Sequence, residues 1–62
     1  MHELEFEVVW IIQTKGAHFI EGKKLIKATC HLQAKEKTII ILMQQYYIAR
    51  KQIKIISIEQ IV

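Results

Sequence analysis

The side chains able to do chemistry in this 62-residue chain fall into three groups. Glu3, Glu5 and Glu7 recur at every second position near the start. In a strand they would project from one face about 6.5–7 Å apart, at roughly 3.3 Å per residue. Carboxylates so spaced can hold a cation, but acid/base work also needs unequal surroundings that separate their pKa values. Nothing around them supplies that asymmetry, so the triplet reads as a solvated face or the protection of a sheet edge. Cys30 and His31 are adjacent. In a strand they would point to opposite faces and could not share a metal. The other histidines are His2 and His18, and no Cys-x-x-Cys or His-x-x-x-His spacing occurs. Cys30 therefore reads as a small buried core residue. Gly16 and Gly22 do not form a phosphate-cradling loop. These residues predict no catalytic centre, no cofactor and no metal.

The third group is basic. Lys23, Lys24 and Lys27 flank Gly22, and Arg50, Lys51 and Lys54 come late, just after Tyr46 and Tyr47. Cations beside aromatic rings suit single-stranded nucleic acid, whose phosphates meet the charges while bases stack on the rings. The candidate nucleic-acid surface, for RNA or single-stranded DNA, is Lys23, Lys24, Lys27, Tyr46, Arg50, Lys51 and Lys54. The net charge of +3 is ordinary, but its distribution is uneven. All three charges in residues 1–10 are glutamates, and the rest of the chain carries nine basic and three acidic side chains. A basic body of this kind attracts anionic partners by its general field.

The elements that position these groups are mostly strands. Leu4, Phe6, Val8, Trp10 and Ile12 alternate with the glutamates over residues 3–13, the pattern of a half-buried strand. Gly16 and Gly22 mark the next two breaks, with a short strand at residues 18–20 between them. Residues 24–34 alternate again, with Ile26, Ala28, Cys30, Leu32 and Ala34 on one face. Lys35, Glu36 and Lys37 read as a charged turn, and residues 38–43 as a central strand. Residues 42–52 allow either a short helix or a turn at Gln44 and Gln45 followed by a strand, and the lack of a capping residue or terminal glycine favours the strand. Ile53 and Ile55 alternate with Lys54, Ser57 could cap a single helical turn over Ile58, Glu59 and Gln60, and Ile61 and Val62 can close a sheet edge. Thirteen isoleucines reinforce the β reading.

The expected fold is a single mainly β domain over residues 1–62. It would be a small barrel of SH3-like or Sm-like type, or a strongly bent antiparallel sheet of four to five strands. From Gly22 onward the layout resembles Sm-like barrels, the bacterial RNA chaperone among them. That family opens its second strand with Gly-x-x-Leu, matched here by Gly22 and Leu25. It also carries a basic pair before an Ile-rich last strand, matched by Arg50 and Lys51 ahead of Ile53 and Ile56. The likeness covers residues 22–56 and implies a closed barrel. The sequence departs from the family in having no Asp, in placing Lys27 where a second Gly belongs, and in opening on a long strand.

Apolar side chains exceed what so short a chain can enclose, since small domains bury only about 60% of their unfolded surface. Val9, Ile11, Ile39 and Ile41 fall opposite the presumed core and are the candidate interface of a homo-oligomer. The same limit leaves little room for a catalytic cleft. The function expected is therefore binding, to nucleic acid in a regulatory role. The alternative is a protein-interaction or assembly subunit, of viral, phage or small bacterial accessory type. The unpaired Cys30 and the acidic start favour a cytoplasmic setting. The longest apolar runs have five residues, too short to cross a membrane.

Overall fold

The computed structural model describes residues 3–61; His2 and Val62 lie outside them. The chain runs β1 (Leu4–Gln13), β2 (Phe19–Ala28), α1 (His31–Tyr46), a single 3-10 turn (Arg50–Gln52) and β3 (Ile53–Gln60). The sheet has the order β2-β1-β3, and β1 is antiparallel to both neighbours. β2 and β3 therefore run in the same direction, and α1 is the crossover that such strands require.

The alternation of β1 decides which side is covered. Phe6, Val8, Trp10 and Ile12 are buried beneath the helix, and Glu5, Glu7, Val9 and Ile11 face the other way. A tight turn joins β1 to β2. Gly16 adopts φ +73°, the left-handed region open to glycine. Thr14 closes the turn by donating from both its N–H and its hydroxyl to the His18 carbonyl, at 3.0 Å each.

The helix is where sequence and structure part. The strand expected over residues 24–34 stops at Ala28 as the end of β2, and a 16-residue helix takes residues 31–34, the expected charged turn at Lys35–Lys37 and the expected strand at 38–43. The turn at Gln44 and Gln45 and the strand favoured after it do not form: residues 42–46 are the helical last turn of α1, and a 3-10 turn follows at Arg50–Gln52. Ala34, Thr38 and Leu42 are spaced by four residues, and with Ile39 they form the stripe that packs on the sheet. Burying that stripe outweighs the weak β preference of Ile39, Ile40 and Ile41. Thr38 is buried at no polar cost, since its hydroxyl donates to the Ala34 carbonyl at 2.8 Å. No side chain caps the start at Cys30, although Gln33 Oε1 accepts the Thr29 N–H at 2.8 Å. At the other end Tyr47 enters the left-handed region with φ +55°, doing without the customary glycine.

Three corrections follow. The sheet is open with three strands, not a barrel of four to five, because the helix and not a curled sheet covers the apolar side. The central strand that the Sm-like layout needs at residues 38–43 is helical. Cys30 is exposed at the helix start and is not a core residue.

The core has two joined parts along β1. Phe6, Val8, Ile26, Ala28 and Ala34 form one; the small Ala28 and Ala34 let the helix approach closely over Phe6. Trp10, Ile12 and Leu42 form the other, flanked by Ile20, Tyr46, Ile48 and Ile53. Edge-to-face aromatic contacts sit at the two ends: Phe6 on His31 at 4.8 Å and Trp10 on Tyr46 at 6.0 Å between ring centres.

Candidate interaction surfaces

The helix covers one side of the sheet and leaves the other open. Strand register orders the open side into rows. Lys27 lies across from Glu5, and Leu25 and Glu59 flank Glu7. Lys23 and Ser57 flank Val9, Glu21 and Lys54 flank Ile11, and Phe19 lies across from Gln13. Val9 and Ile11 are half-buried at the centre, while Leu25 (60% exposed) and Phe19 (59%) are open to solvent. The face therefore carries an apolar middle. Charges of both signs lie at each end: Glu5, Glu7 and Glu59 with Lys27 at one, and Glu21 with Lys54 at the other.

The ladder between β1 and β3 slips by one residue. Trp10 pairs with Ile55, but Val9 pairs with Ser57, leaving Ile56 as the extra residue of a β-bulge. Ile56 is 49% exposed and joins Val9 and Ile11 around a shallow depression on the open side. Sequence reading missed Ile56 as a surface residue. The signal was present: Ile53 and Ile55 are two apart, yet the next inward residue, Ile58, is three further on.

A second groove runs between the β2 edge and α1, lined by Leu25, Ile26, Lys27, Lys37, Ile40 and Ile41. Lys37 bridges its upper end, donating to the Lys27 carbonyl at 2.7 Å and lying 3.5 Å from Glu3.

The seven basic and aromatic candidates do not share one face. Lys23, Lys27 and Lys54 are on the open side among glutamates, and Lys24 is on the helix side of β2. Arg50 is engaged at 2.6 Å by Glu36. The hydrogen bond from Arg50 holds the Glu36 carboxyl below its ordinary value, and the same bond raises the guanidinium. Tyr46 packs on Trp10; the tyrosine that faces solvent is Tyr47, 93% exposed. Lys51 shares a depression with Lys15, which the sequence reading had not included, beside Gln13, Thr14 and Gln52. Gln52 Nε2 fixes that end by donating to the Gln13 carbonyl at 3.0 Å.

The four interface candidates also divide. Val9 and Ile11 are on the open side, and Ile41 lies on the helix flank beside Leu25. Ile39, at 4% exposed, is part of the interior, because a helix and not a strand carries it. No helix among the described residues is long and apolar enough to cross a membrane.

Compared with models of known protein families, with curated proteins and with solved structures, the chain matches none.

Proposed function

We propose that this chain is a non-catalytic binding module of the cytoplasm, an assembly subunit whose working surface is the uncovered side of its sheet. One observation carries the reading. Val9, Ile11, Phe19, Leu25 and Ile56 share that side, with charged residues of both signs around them. An apolar centre rimmed by polar groups is the composition of a protein-binding patch. The mixed charges favour a protein over a polyanion, since Lys23, Lys27 and Lys54 are interleaved with Glu5, Glu7, Glu21 and Glu59. The test is affinity capture with the tagged chain. A defined protein that stays bound through nuclease and high salt, and is lost on Ile11→Lys, supports the reading. Material released by nuclease would overturn it.

That outcome would support a second reading, binding of RNA or single-stranded DNA, and one observation favours it. Tyr47 projects almost wholly into solvent after α1, four positions before Lys51, and Lys51 lines one depression with Lys15. An exposed ring close in sequence to cations has the residue types of a stacking platform for an unpaired base. Lys23, Lys24, Lys27 and Lys54 would add only a general field, and Arg50 would have to release Glu36.

A further inference from the structure

We propose that β3 is the dimerisation edge of this protein, pairing antiparallel with β3 of a second copy to make one six-stranded sheet. This inference is independent of what covers the open side.

The argument rests on register. A symmetric antiparallel pair of identical strands places residue i opposite a partner residue so that the two numbers have a constant sum. Both residues must also lie on the same side of the sheet, because side chains alternate. In an unbulged strand of eight residues the first and last face opposite sides, so pairing along the whole length is forbidden. The bulge in β3 removes that conflict. Ile53, Ile55, Ile58 and Gln60 are on the helix side, and Lys54, Ser57 and Glu59 are on the open side.

Full-length pairing then sets Ile53 against Gln60, Lys54 against Glu59, Ile55 against Ile58, and Ile56 against Ser57, each pair occurring twice. Opposite charges meet at Lys54 and Glu59 on the open side and apolar meets apolar at Ile55 and Ile58 on the helix side, while Ile53 with Gln60 and Ile56 with Ser57 set an apolar side chain against an uncharged polar one. Cross-strand pairs of the first two kinds are favourable. Lys54 and Glu59 are exposed, and among the described residues neither is held in an ion pair. Ile55 and Ile58 are half-buried at the margin of the core, so pairing them joins the two cores across the seam.

The other edge is built differently. Self-pairing of β2 over most of its length centres on Lys23 or Lys24 and sets that lysine against its own copy; in the second register Glu21 meets Lys27, but no register of β2 pairs its charges and its apolar residues without a central lysine clash. The β3 pair uses the same edge on both copies, so it closes on two copies and gives a dimer and not a fibre.

Light scattering over a concentration series tests this, with circular dichroism confirming that each variant is folded. The wild type should reach twice its 7.3 kDa mass. Lys54→Glu and Glu59→Lys, each alone, should weaken the dimer at least tenfold. The double variant K54E/E59K should recover it, and so should a mixture of the two single variants, since the reversed charges meet their opposites. Val9→Lys, on the open side, should leave the mass unchanged. A wild type that stays monomeric, single reversals without effect, or no recovery in the double variant would overturn the proposal. So would a dimer that dissociates on Val9→Lys, which would point to face-to-face stacking. Loss of a captured protein on Ile11→Lys with the dimer intact reports on the open side alone, so the two readings fail separately.

Discussion

The indole of Trp10 lies across the backbone of Gly22, its paired neighbour on β2. A Cβ on Gly22 would stand 2.7 Å from Cη2 and closer still to Cζ2. The backbone of Gly22 is not left-handed, so the requirement for glycine is one of space. Gly22→Ala should therefore destabilise the fold by about 1–3 kcal/mol, the range for overpacking a filled core. Urea unfolding would measure it, and an unchanged midpoint would show that the ring can move. The same ring carries a buried Nε1–H without a partner. Trp10→Phe removes that unsatisfied donor along with some volume. It should cost much less than Trp10→Ala, for which about 3–5 kcal/mol is the usual loss.

Ile39 and Ile41 are two residues apart and would share a face in a strand. In the helix they do not: Ile39 is enclosed and Ile41 stands on a flank beside the β2 edge. Ile39→Ala should cost about 2–5 kcal/mol and Ile41→Ala less than half as much. Equal losses measured by thermal unfolding would argue against the helix.

That pair also marks how far the sequence could be read. The first strand, its inward residues and the turn at Gly16 follow from a period of two and one glycine. The helix does not, because Thr38 to Ile41 is locally the most β-prone run in the chain. Only the sheet it covers makes the spacing of Ala34, Thr38 and Leu42 decisive. The missing start and stop signals deepened the misreading, since α1 begins without a side-chain cap and ends on a left-handed tyrosine. On the surface, residue types were legible but their grouping was not. Lys23 and Lys24 are neighbours in sequence and face opposite sides of the sheet. The bulge at Ile56 was missed, although the slip in spacing between Ile55 and Ile58 marks it: a helical turn over Ile58–Gln60 fitted the same residues.

The link between Glu36 and Arg50 ties the helix to the 3-10 turn and predicts a pH dependence. Arg50 holds the Glu36 carboxyl below its ordinary value of 4.5, so the folded state binds that proton less readily than the unfolded one. The stabilisation is present above the unfolded value and is lost as pH falls through the folded one. The guanidinium, raised by the same bond, stays charged at every ordinary pH and adds no pH dependence there. Both groups are exposed, so the effect is small and screened by salt. Glu36→Gln should lower the melting temperature slightly at pH 7, and the difference from wild type should shrink steadily as the pH is taken below the ordinary carboxylate range. A difference that persists in acid would mean that Glu36 acts through packing.

Tyr47 offers a sharper separation, because its backbone and its ring have different consequences. A left-handed conformation costs a non-glycine residue about 1–2 kcal/mol, a cost that glycine avoids. The ring is 93% exposed and contributes almost nothing to the core. Tyr47→Gly should therefore raise stability, by up to about 1 kcal/mol once the greater freedom of glycine in the unfolded chain is counted. If the end carrying Lys15 and Lys51 binds single-stranded nucleic acid, the same substitution should weaken that binding while the melting temperature rises. Binding to a labelled oligonucleotide at low salt reads the second effect, and Tyr47→Phe separates stacking from the hydroxyl. A stabilised variant with unchanged oligonucleotide affinity would assign the exposed ring no part in binding and leave the open side of the sheet as the working surface.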